Sequence, residues 1–371
     1  MKTTAGNHGG VSKGRGASLN PEGRFENTLR EPEDDGWFPE PADEPARPRT
    51  VITEERAKSI LSRHDSPDLN FTQSVNPYRG CEHGCIYCYA RPSHAYLDLS
   101  PGLDFETRLF AKPNAALLLS AELARPGYRC EPIALGTNTD PYQPIEREWK
   151  VTRSVLEVLA ACDHPVTITT KGAAILRDVD LLAAMAAKNL ARVFVSIPML
   201  DKALARKLDP RAPAPARRLE MIAALAHAGV PVGVLVAPVI PQLTDKDLEA
   251  VLEAAAAHGA TSAGWTMLRL PREVAPLFRA FLDAHYPLRA AHVMSLVQQV
   301  RGGRDNDPRF GARMRGSGEL AALIGRRFDI AARRLGLDGD RAPLDTSRFR
   351  PPMAAAPARA ARRNAAQLDL F

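Results

Sequence analysis

Asn76-Pro77-Tyr78-Arg79-Gly80-Cys81-Glu82-His83-Gly84-Cys85-Ile86-Tyr87-Cys88-Tyr89-Ala90-Arg91 is the stretch on which the reading of this chain turns. Its cysteines follow the spacing Cys81-x3-Cys85-x2-Cys88. Three thiolates on one short loop can hold three irons of a cubic iron–sulfur cluster, whereas the usual cube is closed by a fourth. One iron is then open to a ligand that reacts. Zinc is the competing metal, but a structural zinc wants four ligands, commonly as two pairs. The nearest additional candidates, His83 and His94, do not lie in a second Cys-x2-Cys knuckle.

Outward from the loop, short β-branched or apolar runs alternate with longer helical patterns, which predicts successive βα units and a parallel sheet. Strands are expected at 71–75, 132–136, 166–170, 192–197, 232–236 and 260–266, and helices at 114–124, 147–162, 174–188, 214–228, 245–258 and 272–284. Leu248, Val251, Leu252 and Ala255 form the stripe of a helix with one buried face. Several strands end in polar or special residues: Gly136-Thr137-Asn138-Thr139-Asp140, Thr170-Lys171-Gly172 and Ser196-Ile197-Pro198. The C-terminal strand edge is where ligands sit in parallel βα architectures, and the cysteine loop, which follows the first strand, shares it. Six units are too few for the eight-unit closed barrel, so the fold class expected is α/β, an open or partial barrel with N-terminal and C-terminal extensions.

The 371 residues, 45% of them hydrophobic, suffice for one large domain with tails. Five cysteines, with Cys130 and Cys162 isolated from the other three, argue against a secreted disulfide framework. The polar start and the lack of a long apolar run argue against a signal peptide or membrane span, and a reducing cytoplasm fits. Net charge is +6, yet residues 1–50 carry seven Lys/Arg against nine Asp/Glu, which leaves +8 on the remainder. A basic folded part raises the expectation of a polyanionic partner. Divisions are expected as a mobile or surface-wrapping arm (1–50), the barrel (51–285), a helical extension with a basic Gly/Arg loop (286–349) and a flexible tail (350–371).

The cysteine run, with Tyr87 at its aromatic position, resembles the signature of the radical S-adenosylmethionine (SAM) superfamily. The segment 74–112 together with Thr139-Asp140-Pro141-Tyr142-Gln143-Pro144-Ile145-Glu146 resembles its spore photoproduct lyase branch, and is closer to that branch's uncharacterised bacterial members. The resemblance covers roughly residues 50–340. It implies a partial (β/α)6 barrel, a [4Fe-4S] cluster on Cys81, Cys85 and Cys88, and S-adenosyl-L-methionine on the open iron. It further implies cleavage of that cofactor to a 5'-deoxyadenosyl radical, and an electron donor such as flavodoxin or ferredoxin. Position by position, Thr139 and Asp140 match the branch's Ser-Asp pair beside the cofactor. Lys171 matches the lysine that reaches the cofactor carboxylate, and Ser196 matches a serine after the fourth strand. Tyr87 either packs on the adenine or fills core. Tyr89 either packs, positions cofactor or relays hydrogen atoms. Arg79 and Arg91 either offset the charge of the cluster or pair with Glu82 or Asp98. The branch's hydrogen-donating cysteine has no counterpart in 136–140, so repair of the spore thymine dimer by the same route is not expected.

Two further segments suggest partners. Residues 301–316 hold five arginines against two aspartates among glycines, a pattern suited to phosphate contacts or to a loop folded on the acidic arm. The last residues, Gln367, Leu368, Asp369, Leu370 and Phe371, look like a sliding-clamp-binding peptide. The function expected is therefore a radical SAM enzyme, with DNA or another nucleic acid as its substrate for repair or modification. The alternative is a non-catalytic, metal-stabilised DNA-binding or clamp-associated protein. No catalytic residue beyond the cofactor set is legible.

Overall fold

The computed structural model describes residues 14–25, 48–339 and 342–352. Its strands in chain order are β1 (Val51–Glu54), β2 (Leu61–Arg63), β3 (Gln73–Val75), β4 (Tyr78–Arg79), β5 (Arg108–Ala111), β6 (Ile133–Leu135), β7 (Val166–Thr170), β8 (Ala191–Ser196), β9 (Val232–Val239) and β10 (Ser262–Met267). The main sheet has the order β10-β9-β8-β7-β6-β3-β2. From β3 to β10 every neighbouring pair is parallel, and β2 alone is added antiparallel at one edge. Six parallel strands in sequence order, each followed by a helical crossover, make a partial (β/α)6 barrel. Consecutive right-handed crossovers lay the strands side by side in this way.

The strands are rich in β-branched residues because both of their faces are covered. Val166, Ile168, Val193, Val195, Val232, Val234 and Val236 are buried in one core with the inner stripes of the surrounding helices. The helices Ala115–Leu123, Val151–Ala161, Val179–Ala186, Pro215–His227, Leu248–Ala257 and Val274–His285 occupy the connections where the periodicity places them. Two expected helices are divided: 174–188 opens as a 3-10 segment, Ala173–Asp178, before the α-helix Val179–Ala186, and 147–162 is broken outright. Residues 147–162 divide at Lys150, whose φ is 51°, into Glu146–Trp149 and Val151–Ala161. The carboxylate of Glu146 accepts from the backbone amides of Thr152 (2.9 Å) and Arg153 (3.3 Å), capping a helix that the pattern alone would run straight through.

A second sheet, β1-β5-β4, was not expected. It lies in the stretch from Val51 to Ala111 that surrounds the cysteines, and joins β4, at the entry to the cysteine loop, to β5. The extension is also more integral than an appendage. Its helix Gly318–Arg334 packs on β10 and on the helix Leu248–Ala257, and Leu337 accepts from the amide of Ala263. Residues 342–352 return to the opposite end of the barrel, where Asp345 bonds to Asn189 and Arg350 to Cys162.

Of the N-terminal arm, expected to be mobile or surface-wrapping, residues 14–25 are described. Arg15, Gly16 and Ala17 are buried against the cysteine loop and the residues behind it. The clamp-like peptide Gln367–Phe371 lies outside the described residues. Among the described residues no helix is long and apolar enough to cross a membrane.

Candidate cluster and cofactor site

The polypeptide leaves β3 at Val75 and passes through β4 into the cysteine loop, at the C-terminal edge of the parallel strands. Gly80 has a φ of +74°, a conformation that side chains other than glycine rarely take. It turns the chain so that the Cys81 amide bonds to Phe105 O at 2.9 Å. Cys85, Ile86 and Tyr87 belong to a second apolar core with Met199, Leu208, Leu243, Leu268 and Phe278. The loop is thus built into the fold on both sides.

Arg91 holds the loop from below. Its Nε donates to Cys85 O at 3.0 Å, Nη1 to Pro101 O and Gly102 O, and Nη2 to Gly84 O and the carboxylate of Glu106. Gln143, fully buried, donates to Gly80 O at 3.1 Å and accepts from the Glu82 amide at 2.9 Å. Arg79 pairs with Glu55, not with Glu82 or Asp98. Both arginines therefore act on the protein, Arg91 as a clamp for the loop's carbonyls.

All three cluster cysteines are free, Cys81 and Cys85 buried and Cys88 partly so. Burial, and then Asp209, pushes the Cys85 thiol well up, with Lys171 opposing. Burial and Cys81 push Cys88 up as well. The loop is poorly solvated, and there a bound metal centre is what turns thiols into thiolates. Among the described residues no three His, Cys, Asp or Glu side chains close on one ion, as tetrahedral zinc requires. A cube engages each thiolate at its own iron, so the donor set suits it better. His94 bonds to Arg108 O at 2.9 Å and does not join the cysteines.

The strand-edge residues gather around this loop. Asp140, after β6, accepts from Thr170 Oγ1 (2.6 Å), the Tyr142 amide (2.9 Å), the Lys171 amide (2.7 Å) and His83 Nδ1 (3.3 Å). Burial opposes its charge, but His83 and these donors hold the carboxyl down at about 2. His83 is also buried, and Asp140 and Cys81 raise it to about 9. Asp140 therefore locks the ends of β6 and β7 to the cysteine loop. Thr139 does similar work, donating to Tyr78 O at 3.1 Å.

Lys171 directs its ammonium over the Tyr87 ring, 5.8 Å from the centroid. Burial works against that charge, yet Cys85 and Asp209 hold the ammonium above its ordinary pKa. The Tyr87 hydroxyl donates to Asp209. Asp209 pairs with Arg218 at 3.0 Å, and Arg218 donates to Ser196 O at 3.1 Å. Ser196 Oγ itself donates to Ala237 O at 3.1 Å. Tyr87, Thr139, Asp140, Lys171 and Ser196 thus share one region, linked by His83, which the sequence offered only as a zinc ligand, and by Asp209 and Arg218, which it did not point to. His83 lies inside the quoted run and could have been found there. Asp209 and Arg218 carry no local signal.

Of the five arginines in 301–316, Arg301 is buried and donates to Met267 O, Leu268 O, Ala312 O and Arg313 O. Arg309 pairs with Asp307 and Arg313 with Asp68. The loop is folded on the barrel, through the β2–β3 connection that carries Asp68.

A family model described as the Radical SAM superfamily matches residues 75–255. An uncharacterized protein of Mycobacterium tuberculosis is 42% identical over 233 residues, 62% of this chain and 68% of that protein. An uncharacterized protein of Methanocaldococcus jannaschii is 26% identical over 190 residues, 51% of this chain and 68% of that protein. Among solved structures, a point mutant of spore photoproduct lyase superposes with a TM-score of 0.53 at 13% identity, covering 76% of this chain and 79% of the other, a likeness of fold.

Proposed function

The chain belongs to the radical SAM superfamily, and we propose that it binds a [4Fe-4S] cluster through Cys81, Cys85 and Cys88 and uses S-adenosyl-L-methionine for radical chemistry on a nucleic acid. The observation that carries the reading is the position of three cysteines on one buried loop at the C-terminal edge of six parallel strands, facing Lys171 and Asp140. When bound, the cluster and S-adenosyl-L-methionine supply one-electron cleavage to a 5'-deoxyadenosyl radical, which takes a hydrogen atom from substrate.

The protein's own contribution is orientation and exclusion of water. Lys171 offers a fixed ammonium for the cofactor's carboxylate. Tyr87, its hydroxyl tied to Asp209, offers an apolar ring beneath that ammonium. Asp140, with all its donors internal, holds the end of β7 so that Lys171 is placed. Thr139 and Ser196 keep the ends of β6 and β8 in register with them. The basic balance of residues 51–371 supports a polyanionic substrate. Delivery by a sliding clamp through Gln367–Phe371 is part of the same proposal. Its test is loss of clamp binding when those five residues are removed.

Anaerobic reconstitution with iron and sulfide tests the central claim. A brown protein carrying about four irons, with 5'-deoxyadenosine formed on reduction with S-adenosyl-L-methionine, is the result expected. Cys88→Ala should lose both. A colourless protein that takes zinc instead overturns the reading.

A further inference from the structure

Arg91, Arg218 and Arg301 are buried, and every guanidinium nitrogen of each has a partner: they donate to backbone carbonyls, and two of them also to a carboxylate. This is how an arginine with a purely structural role satisfies its five donors. Arg269 is different. Its only hydrogen bond among the described residues goes to the thioether of Met314 at 3.8 Å, and its Nε is shut off from solvent without any partner.

The position of Arg269 is as telling. It lies two residues past the end of β10, on the same strand edge as the cysteine loop. Its guanidinium stacks 5.0 Å from the ring centroid of Tyr89, the residue directly after Cys88. The nearby carboxylate, Asp68, is already taken by Arg313 Nε and by the Gly311 amide at 2.7 Å. Burial and the neighbouring Arg313 hold the Arg269 guanidinium below its ordinary pKa, although Tyr89 and the shared Asp68 draw it the other way.

Two arginines of the 301–316 loop also stack on rings: Arg313 over Phe310 of that loop at 4.7 Å, and Arg315 over the buried Trp265 of β10 at 4.6 Å. Phe310 is 62% exposed and Tyr89 46%. Exposed rings between guanidinium groups are the surface that single-stranded nucleic acid uses, its bases stacking on the rings and its phosphates meeting the cations.

We propose that Arg269 forms a phosphate subsite at the mouth of the barrel, and that Tyr89 and Phe310 flank it as stacking platforms for a single-stranded nucleic acid. The assignment rests on the nucleic-acid reading above and narrows it to the strand form and to the residue that meets the phosphate. Arg269 and Arg313 share one carboxylate, Asp68, so a phosphodiester anion would balance the second cation. The Nη2 end of Arg269, which has no partner among the described residues and is not sealed as Nε is, is the donor a phosphate oxygen would meet.

Fluorescence anisotropy with a labelled single-stranded oligodeoxynucleotide, on the cluster-loaded full-length protein without reductant, tests this. Since nothing is reduced, binding succeeds or fails independently of 5'-deoxyadenosine formation. Arg269→Gln is expected to weaken binding about tenfold or more. It should also lower the slope of log K against log salt by about 0.7, the share of one phosphate on a single strand. Phe310→Ala, at an exposed site with no part in the core, is expected to weaken binding about fivefold or more while leaving the slope as it is.

A nucleoside monophosphate should displace the oligonucleotide where the nucleoside does not. If the wild type holds the monophosphate but not the oligonucleotide, the phosphate subsite stands and the single strand is overturned. Wild-type protein that binds neither, Arg269→Gln with unchanged affinity and slope, or a nucleoside that competes as well as its monophosphate overturns the subsite. Should Arg269→Gln fold poorly, Arg269→Lys replaces it. With the charge kept and the fork lost, the slope should hold while affinity falls, and unchanged affinity counts against the proposal.

Discussion

Arg91 and Glu106 form an ion pair with both side chains fully buried, directly behind the cysteine loop. Glu106 also accepts from the amides of Gly16 and Ala17, at 2.9 Å each, so the pair joins the N-terminal segment to the loop. Removing one partner of a buried pair leaves a charge without compensation, at a cost of about 3–5 kcal/mol. Glu106→Gln should therefore lower the unfolding free energy of the metal-free protein by that amount in urea denaturation. Arg91→Met/Glu106→Gln together should cost less than the two single changes summed. Strict additivity would mean that the pair is not coupled.

Lys171 is a half-buried cation whose ammonium lies over Tyr87, beside the cysteine loop. Lys171→Met should reduce affinity for S-adenosyl-L-methionine by about 10- to 100-fold, the value of a hydrogen bond to a charged group. Asp209 stays neutralised by Arg218, so the fold should survive the change. Lys171→Arg should not restore affinity, because a guanidinium is larger and planar where a compact ammonium sits over Tyr87. Anaerobic equilibrium dialysis of the cluster-loaded proteins gives the answer, and unchanged affinity in Lys171→Met would remove Lys171 from the cofactor set.

What the sequence made legible is what it encodes locally. All six parallel strands were placed by the change of apolar period between strand and helix, and the strand β7 matched its expected bounds, Val166–Thr170. Asp140 and Lys171 are assigned to the cofactor by the family resemblance, and both fall in the short polar runs that follow β6 and β7. The rest depends on contacts distant in sequence. Arg15 and Glu106 are 91 residues apart, and Tyr87 and Asp209 are 122 apart. No periodicity carries such pairings. The strands β1, β4 and β5, at four, two and four residues, are too short for an alternating pattern to stand out. In the basic loop, counting arginines could not distinguish Arg301, sealed inside the fold, from Arg315 on its surface stack.

His164 offers a pH signature away from the site. Its ring nitrogens contact Pro165 O at 3.0 Å and the Tyr128 hydroxyl at 2.8 Å, and burial lowers its pKa from 6.5 to about 4. The folded state keeps this histidine neutral, so the unfolded chain takes up the proton first as pH falls. The stability it contributes is present above 6.5 and is lost on descending towards 4, by about 3 kcal/mol at most. Thermal or urea midpoints of His164→Asn should fall less steeply than wild type across that window. The variant will keep part of the slope, because His94, likewise buried, also titrates near 4.

Gly16 makes the firmest prediction about the N-terminal segment. A Cβ built on it would occupy the place of the Gly84 carbonyl oxygen, backbone that Arg91 also fixes. Neither side can yield cheaply, since the Gly16 amide is held by Glu106 and Arg15 donates to Glu106 O at 2.8 Å, Pro48 O and Thr50. Gly16→Val should therefore expel residues 14–25 from the loop and leave Glu106 short of two amide donors. Lost charge-assisted hydrogen bonds of this kind cost about 1.5–3 kcal/mol each. Two measurements separate the consequences. Urea denaturation should show the stability loss in the metal-free protein, and the visible absorbance of the reconstituted protein should bleach faster in air, because the segment that covers the loop from that side has gone. Gly14→Ala is the control: its Cβ meets nothing, although its φ of +83° carries a small strain of its own, so bleaching should stay near the wild-type rate. Equal bleaching of Gly16→Val and wild type would show that the segment stabilises the fold without shielding the cluster loop.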